Sequence, residues 1–225
     1  HARNKILDKE VNLQAISKRT PGFSGADLEN LLNEAALLAV RRNKSSVGMD
    51  EIDEATDRVL LGPAKTSHKI TEKEKRLVAI HESGHAVIGI KLPDAEEVHK
   101  ITIIPRTSGA LGFTLQVPEE ETFLMSREEA FNKITTYTGG RAAEELIFNT
   151  RTSGAANDIE QATKIARAMV TRLGMSDNFD MMALETITDR YLSGDASLTC
   201  SSETAAKIDE EVLNIIKKAH EKAIN

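Results

Sequence analysis

The chain has 225 residues, with 29 Lys and Arg against 35 Asp and Glu, a formal charge of −6 at pH 7, and 40% hydrophobic residues. That balance supports a folded core and excludes wholesale disorder. It also argues against a nucleic-acid surface, because phosphate contacts need clustered Lys and Arg and no long basic block is present.

In chain order, roughly the first 60 residues read as helical throughout. Ser24 and Asp27 make a capping-box start, and Leu28, Leu31, Leu32, Ala35, Leu38 and Ala39 recur at helical spacing. Arg41, Arg42 and Lys44 then suit a helix C-terminus. A second helix spans about Met49 to Leu60, with Ile52, Ala55 and Val59 on one face, and Gly62-Pro63 stops it. The short polar stretch Gly62 to Lys69 is the best place for a domain boundary.

Thr71 and Glu74 open a third helix, which runs through Leu77, Ile80, Gly84, Val87 and Ile88 to just before Pro93. Val98 to Ile104 is β-branched and alternating, Pro105 to Leu111 carries turn residues, and Gly112 to Val117 makes a second short strand. A small hairpin or edge sheet is therefore expected. Helical pattern returns over Ser126 to Thr138, over Arg141 to Phe148 after a break at Gly139-Gly140, and over about Asn157 to Leu173 before Gly174. Residues 175 to 200 read as irregular and polar. A last helix covers roughly Ala205 to Ile224, with Ile208, Val212, Ile215, Ile216 and Ala219 on its buried face. The predicted fold class is mainly α with one small β element.

The longest unbroken apolar run, Ala35 to Val40, is far short of the roughly 18 residues that a spanning helix needs. The single cysteine, Cys200, excludes an internal disulfide and any metal site built from several thiolates. The chain opens on His1 without a signal-peptide pattern, and it reads as a processed protein or an excised fragment.

The chemistry centres on His81-Glu82-Ser83-Gly84-His85, an H-E-x-x-H run with about 0.02 matches expected by chance at this composition. Two histidines four apart on a helix stack on one face about 6 Å apart along the axis, so both imidazoles can reach one ion. Glu82 stands one residue on, close enough to reach a water at that ion without ligating it. Val78, Ala79, Ile80, Ala86, Val87 and Ile88 make this helix apolar nearly all round, which predicts burial, and buried imidazoles need partners. Gly84, costly in mid-helix by about 1 kcal/mol, predicts a close backbone approach.

Catalytic zinc takes three protein ligands and keeps one position open. A continuous metzincin pattern would place a histidine at position 91, where this chain has Lys91, so the third ligand comes from a distant segment. Glu144, Glu145 and Asp158 are the candidates, and spacing does not choose among them. For Asp158 the plain alternative is a helix N-terminal acid, and for the glutamates an outer supporting role. His99 and Tyr137 are further polar groups with possible oxyanion or structural roles.

Several motifs in one order carry a resemblance. They are Thr20-Pro21-Gly22-Phe23-Ser24-Gly25-Ala26-Asp27-Leu28, Asn33 to Leu37, His81 to Ala86, His99-Lys100 with Ile103-Ile104-Pro105-Arg106, Gly139 to Leu146, Ser153 to Thr163, and Met169-Val170-Thr171 with Gly174-Met175-Ser176. Together they resemble the FtsH-type membrane-anchored AAA zinc proteases over nearly the whole chain, while residues 177 to 204 match weakly. Ser83 and Ser153 stand where alanine and threonine are common in that family, and neither change removes a ligand.

The resemblance implies a helical AAA lid over residues 1–62 and a mostly helical zinc peptidase domain over 63–225. It implies His81, His85 and Asp158 as ligands of one Zn2+ per chain and Glu82 as the catalytic acid group. It places His1, Gly25 and Ala26 near ATP in the full-length protein. The phosphate-binding loop G-x-x-x-x-G-K-[ST] is absent from this chain, so the lid alone is not expected to hydrolyse ATP. The implied protein is an ATP-dependent zinc metalloprotease of membrane and soluble protein quality control, acting on unfolded or translocated polypeptides. It is implied to work as a homo-hexamer, with no nucleic-acid partner, anchored in a membrane through a segment absent here. A bacterial inner membrane with this part facing the cytoplasm is the expected location. The competing reading is a hexamer-assembly and nucleotide-sensing helical module whose metal is structural or absent.

Overall fold

The computed structural model describes all residues except 66–69, 94, 108, 118–123 and 188–195. The second half of the predicted boundary at 62–69, and parts of the segments at 105–111 and 175–200, lie outside the described residues.

The N-terminal helices are α1 (Leu13–Arg19), α2 (Gly25–Arg41) and α3 (Met49–Leu61). Asn12 caps α1 by accepting from the Ala15 N–H, and Ser24 with Asp27 forms the predicted capping box of α2. Residues 1–12 are not helical, contrary to the sequence expectation. They form short turns around a bridge at Leu7 and are pinned to the loop before α3, where Asp8 N–H donates to Val47 O at 2.9 Å and Val47 N–H to Ile6 O at 2.8 Å. Ile16, Leu31, Leu38, Val47 and Ile52 close one buried cluster between these helices.

The second part is built on α4 (Glu72–Lys91), α5 (Arg127–Phe148), α6 (Ala156–Thr171) and α7 (Ser202–Ile224). Thr71 with Glu74 and Ser126 with Glu129 make capping boxes at α4 and α5. Ile134, Ala166, Val170, Leu184 and Ile208 form a separate buried cluster where α5, α6 and α7 meet. The predicted hairpin is present: β1 (Glu97–Thr102) pairs antiparallel with β2 (Phe113–Val117), Thr102 opposite Phe113 and Glu97 opposite Val117, with a bulge at His99. A second short pair, β3 (Glu185–Ile187) with β4 (Ala196–Leu198), lies inside the stretch that reads as irregular.

Two expectations are corrected by the way α4 crosses α5. Gly139-Gly140 does not break a helix, and α5 is continuous through it. A Cβ on Gly84 of α4 would strike the Gly139 carbonyl and lie 2.7 Å from Ala143 Cβ. The glycines are therefore where two helix backbones touch, and that packing outweighs their intrinsic cost to the helix. This is the close approach that Gly84 predicts. Helix α4 is also not buried all round: Val87 is 54% and Ile90 72% exposed, while His81, Glu82, His85, Ala86 and Gly89 face inward. Among the described residues no helix is long and apolar enough to cross a membrane.

Candidate metal centre

The crossing of α4 on α5 puts both motif histidines on the inner face of α4. Their rings stand 4.8 Å apart at 76°. His85 Nδ1 lies 2.8 Å from the Thr136 carbonyl of α5. A carbonyl only accepts, so His85 carries its proton on Nδ1 and presents a lone pair at Nε2. His81 Nδ1 lies 2.8 Å from Glu144 Oε1 and is oriented the same way.

Asp158, in the first turn of α6, supplies the third donor. Its Oδ2 is 3.2 Å from His81 Nε2 and 3.4 Å from His85 Nε2, and the two Nε2 atoms are 3.1 Å apart. Donors held about 2.0–2.1 Å from a tetrahedral zinc ion sit about 3.3 Å from one another. The triangle fits that ion closely. The space is kept open by Gly140, where a Cβ would come within 2.5 Å of His81 Nε2 and 2.6 Å of His85 Nε2. Among the described residues no fourth His, Cys, Asp or Glu joins the group, which leaves a position for water or substrate.

The other candidate acids take different places. Glu144 is fully buried and its lone pairs are engaged, by His81 and by the Thr152 N–H at 2.9 Å and hydroxyl at 3.0 Å. It orients a histidine instead of meeting the ion. Glu145 turns towards α7, pairing with Arg151 at 2.7 Å and His220 at 3.2 Å.

Burial penalises the charge on Asp158, but the adjacent His81 and His85 imidazoles outweigh it and hold its carboxyl down at about 2. Burial likewise pushes His81 down, and the neighbouring Asp158 and Glu144 carboxylates more than reverse this, leaving it raised. For Glu82 burial dominates, so its carboxyl is raised despite the Thr114 hydrogen bond and the neighbouring imidazoles. A carboxyl raised by burial beside a metal site is better suited to taking and returning a proton than a fully solvated one.

Glu82 opens onto a groove of about 1610 Å³, bordered by the β2 strand, Tyr137 and Leu124. That exceeds the roughly 300–1,000 Å³ of small-molecule sites and has room for an extended polymer. Tyr137 lines this groove; His99 does not, and lies 3.5 Å from Glu97 on β1. His1 sits at the start of α2, where a Cβ on Gly25 would be 3.5 Å from His1 Nε2, and Ala26 is exposed beside it. Sequence reasoning missed Thr114, whose hydroxyl meets the Glu82 carboxylate at 2.9 Å. In sequence it is an ordinary strand threonine, and only the register of β2 against α4 reveals it.

The peptidase family M41 model matches residues 68–225, and the AAA+ lid domain model matches residues 10–54. Proteins called ATP-dependent zinc metalloprotease FtsH are similar along the entire chain. That of Clostridium perfringens is 52% identical over 224 residues, 100% of this chain and 31% of the relative. That of Thermotoga maritima is 52% identical over 226 residues, 99% of this chain and 37% of the relative. That of Lancefieldella parvula is 50% identical over 224 residues, 100% of this chain and 35% of the relative. The chain thus spans about a third of the length of these relatives. With residues 68–225, most of its length, matched, the chain belongs to peptidase family M41.

Proposed function

We propose that this chain hydrolyses peptide bonds with one Zn2+ held by His81, His85 and Asp158 and with Glu82 as the proton-transferring residue. The observation that carries this reading is the triangle of donors 3.1–3.4 Å apart, with Glu82 beside it in an open groove. A bound Zn2+ would supply Lewis-acid polarisation of the scissile carbonyl and lower the pKa of a water towards 7. Glu82 would take a proton from an attacking water and pass it to the amine nitrogen released as the peptide C–N bond breaks. Glu144 and the Thr136 carbonyl keep both imidazoles turned with Nε2 inward throughout. The substrate is an extended polypeptide lying along the groove, where main-chain pairing with the edge of β2 tolerates many side chains.

Residues 1–62 act as the helical lid of an AAA ATPase and residues 63–225 as the peptidase. The lid match and the two separate buried clusters support this division. In the longer protein His1, Gly25 and Ala26 lie against ATP, six copies form a ring, and a membrane segment outside this chain anchors it. The anchoring membrane is the bacterial inner membrane, with this part facing the cytoplasm. ATP hydrolysis there delivers unfolded membrane and soluble proteins to the peptidase.

Glu82→Gln tests the reading. Zinc stoichiometry and the folded helix signal are expected to stay, while cleavage of an unfolded polypeptide falls by at least about 100-fold. Undiminished cleavage by Glu82→Gln would overturn the assignment.

A further inference from the structure

We propose that the Thr114 hydroxyl is the positioning group of Glu82, deciding which carboxylate oxygen handles the proton. The inference rests on the peptidase reading above. Thr114 belongs to β2 and Glu82 to α4, 32 residues apart in sequence. Thr114 Oγ1 stands 2.9 Å from Glu82 Oε2 and 3.0 Å from the main-chain carbonyl oxygen of the same residue. One hydroxyl has one proton, and both neighbours accept when the carboxylate is ionised. The charged oxygen is the stronger acceptor, so the proton goes to Oε2. Among the described residues Oε1 makes no hydrogen bond, and it is the oxygen left to act.

The arrangement holds through the proton cycle. As water attacks, its O–H bond breaks and an Oε1–H bond forms. Oε2 is then the carbonyl oxygen of a neutral acid and stays within hydrogen-bond reach of Thr114. When Oε1–H gives its proton to the departing amine nitrogen, the first state returns without a change of rotamer. The start of β2 also fixes the stem of the side chain: a Cβ on Gly112 would lie 3.0 Å from Glu82 Cγ and 2.8 Å from Val78 Cγ1. Strand and helix therefore grip Glu82 at both its stem and its head, leaving Oε1 as the oxygen without a hydrogen bond among the described residues.

The experiment compares zinc-loaded wild type, Thr114→Val and Thr114→Ser. Zinc content, kcat and KM on an unstructured fluorogenic peptide, and the crystallographic position of Glu82 are measured for each. All three are expected to hold one zinc. Thr114→Val should lose about 10- to 100-fold in kcat, the usual effect of removing an orienting partner, with KM unchanged. Thr114→Ser, which keeps the hydroxyl, should recover most of it. In crystals Glu82 should keep one position in wild type and Thr114→Ser and leave it in Thr114→Val. Full kcat in Thr114→Val, a loss confined to KM, or a failure of serine to rescue would each overturn the proposal. A wild type that binds zinc but cleaves nothing would count against the peptidase reading instead. The crystals would then decide the contact by themselves, and an unmoved Glu82 in Thr114→Val would refute it.

Discussion

Arg106 closes on Asp57 of α3 with Nη2 2.7 Å from Oδ2, and both side chains are almost wholly withdrawn from water, at 1% and 3% exposure. The same guanidinium forks onto Glu54, at 3.1 and 3.2 Å, and Lys100 of β1 reaches Asp57 at 2.7 Å. Two acids of α3, of which Glu54 lies within the lid-matched residues, thus meet two bases of the peptidase-matched region, and Arg58 of α3 also reaches Glu54 at 3.2 Å. Backbone bonds beside it, Lys65 N–H to Pro105 O at 2.8 Å and Thr107 N–H to Pro63 O at 3.1 Å, tie the two regions together at the same place.

Removing one member should therefore cost more than removing two. Arg106→Met leaves Asp57 buried with only Lys100, and breaking a buried pair costs about 3–5 kcal/mol. Arg106 Nε has no partner among the described residues, so the variant also relieves one orphaned donor, and the low end of that range is expected. Arg106→Met with Asp57→Leu should recover much of the loss, because an apolar replacement of a buried pair is often near neutral. Urea denaturation of the two variants checks this. A double variant no more stable than Arg106→Met would mean that the cluster is not held by charge.

Zinc affinity should rank the three acids by their place around the histidines. Asp158→Asn is expected to weaken binding by more than about 100-fold, beyond what an outer partner gives. Glu144→Gln should fall within about 10- to 100-fold, because it only loosens His81. Glu145→Gln, turned to Arg151 and His220, should leave affinity unchanged. Competition against a chromophoric chelator measures all three. Full affinity in Asp158→Asn would return the third position to Glu144.

Much of this was legible in local sequence. The starts of α2, α4 and α5 follow from a hydroxyl and an acid three residues apart, and the histidine pair follows from helical spacing. What was illegible depends on contacts between distant residues. Spacing leaves Asp158 and Glu144 open and only the family resemblance implies Asp158; their places turn on contacts 63 and 77 residues away in sequence, with Glu144 meeting the back of the His81 ring and Asp158 its front. The continuity of α5 through two glycines follows only from the seat of Gly139 against Gly84 and of Gly140 against the His81 and His85 rings. The pairing of β3 with β4 had no alternating run long enough to mark it.

Those glycines give a prediction with a reversed sign. On an exposed helix Gly→Ala stabilises by about 1 kcal/mol. At Gly84 the new methyl would meet the Gly139 carbonyl and Ala143, and overpacking of that kind costs about 1–3 kcal/mol, enough to cancel or reverse the gain. Gly140→Ala should behave differently. Its methyl would fall within 2.6 Å of the metal-facing nitrogens, so zinc is lost while helix content remains. Thermal melts and zinc content measured together separate the two outcomes, and a zinc-replete Gly140→Ala would contradict the geometry.

A last prediction concerns acid stability of the first three helices. Glu51 at the start of α3 is fully buried. It accepts from Arg42 at 2.6 Å, Lys44 at 3.0 Å and the Gly48 N–H at 3.1 Å. Burial alone would raise its carboxyl, but the hydrogen bonds from Lys44, Arg42 and Gly48 prevail and hold it at about 2, against 4.5 for the ordinary group. A carboxyl lowered by folding stabilises the fold in full above its unfolded value. It loses that contribution as pH falls from about 4.5 towards about 2. Other carboxylates protonate over the same range, so the informative quantity is the difference between wild type and Glu51→Gln. That gap in unfolding free energy should be widest at neutral pH and should narrow steadily below pH 4.5. A gap that stays constant with pH would show that Glu51 acts through shape and neutral hydrogen bonding, with its charge contributing nothing to the fold.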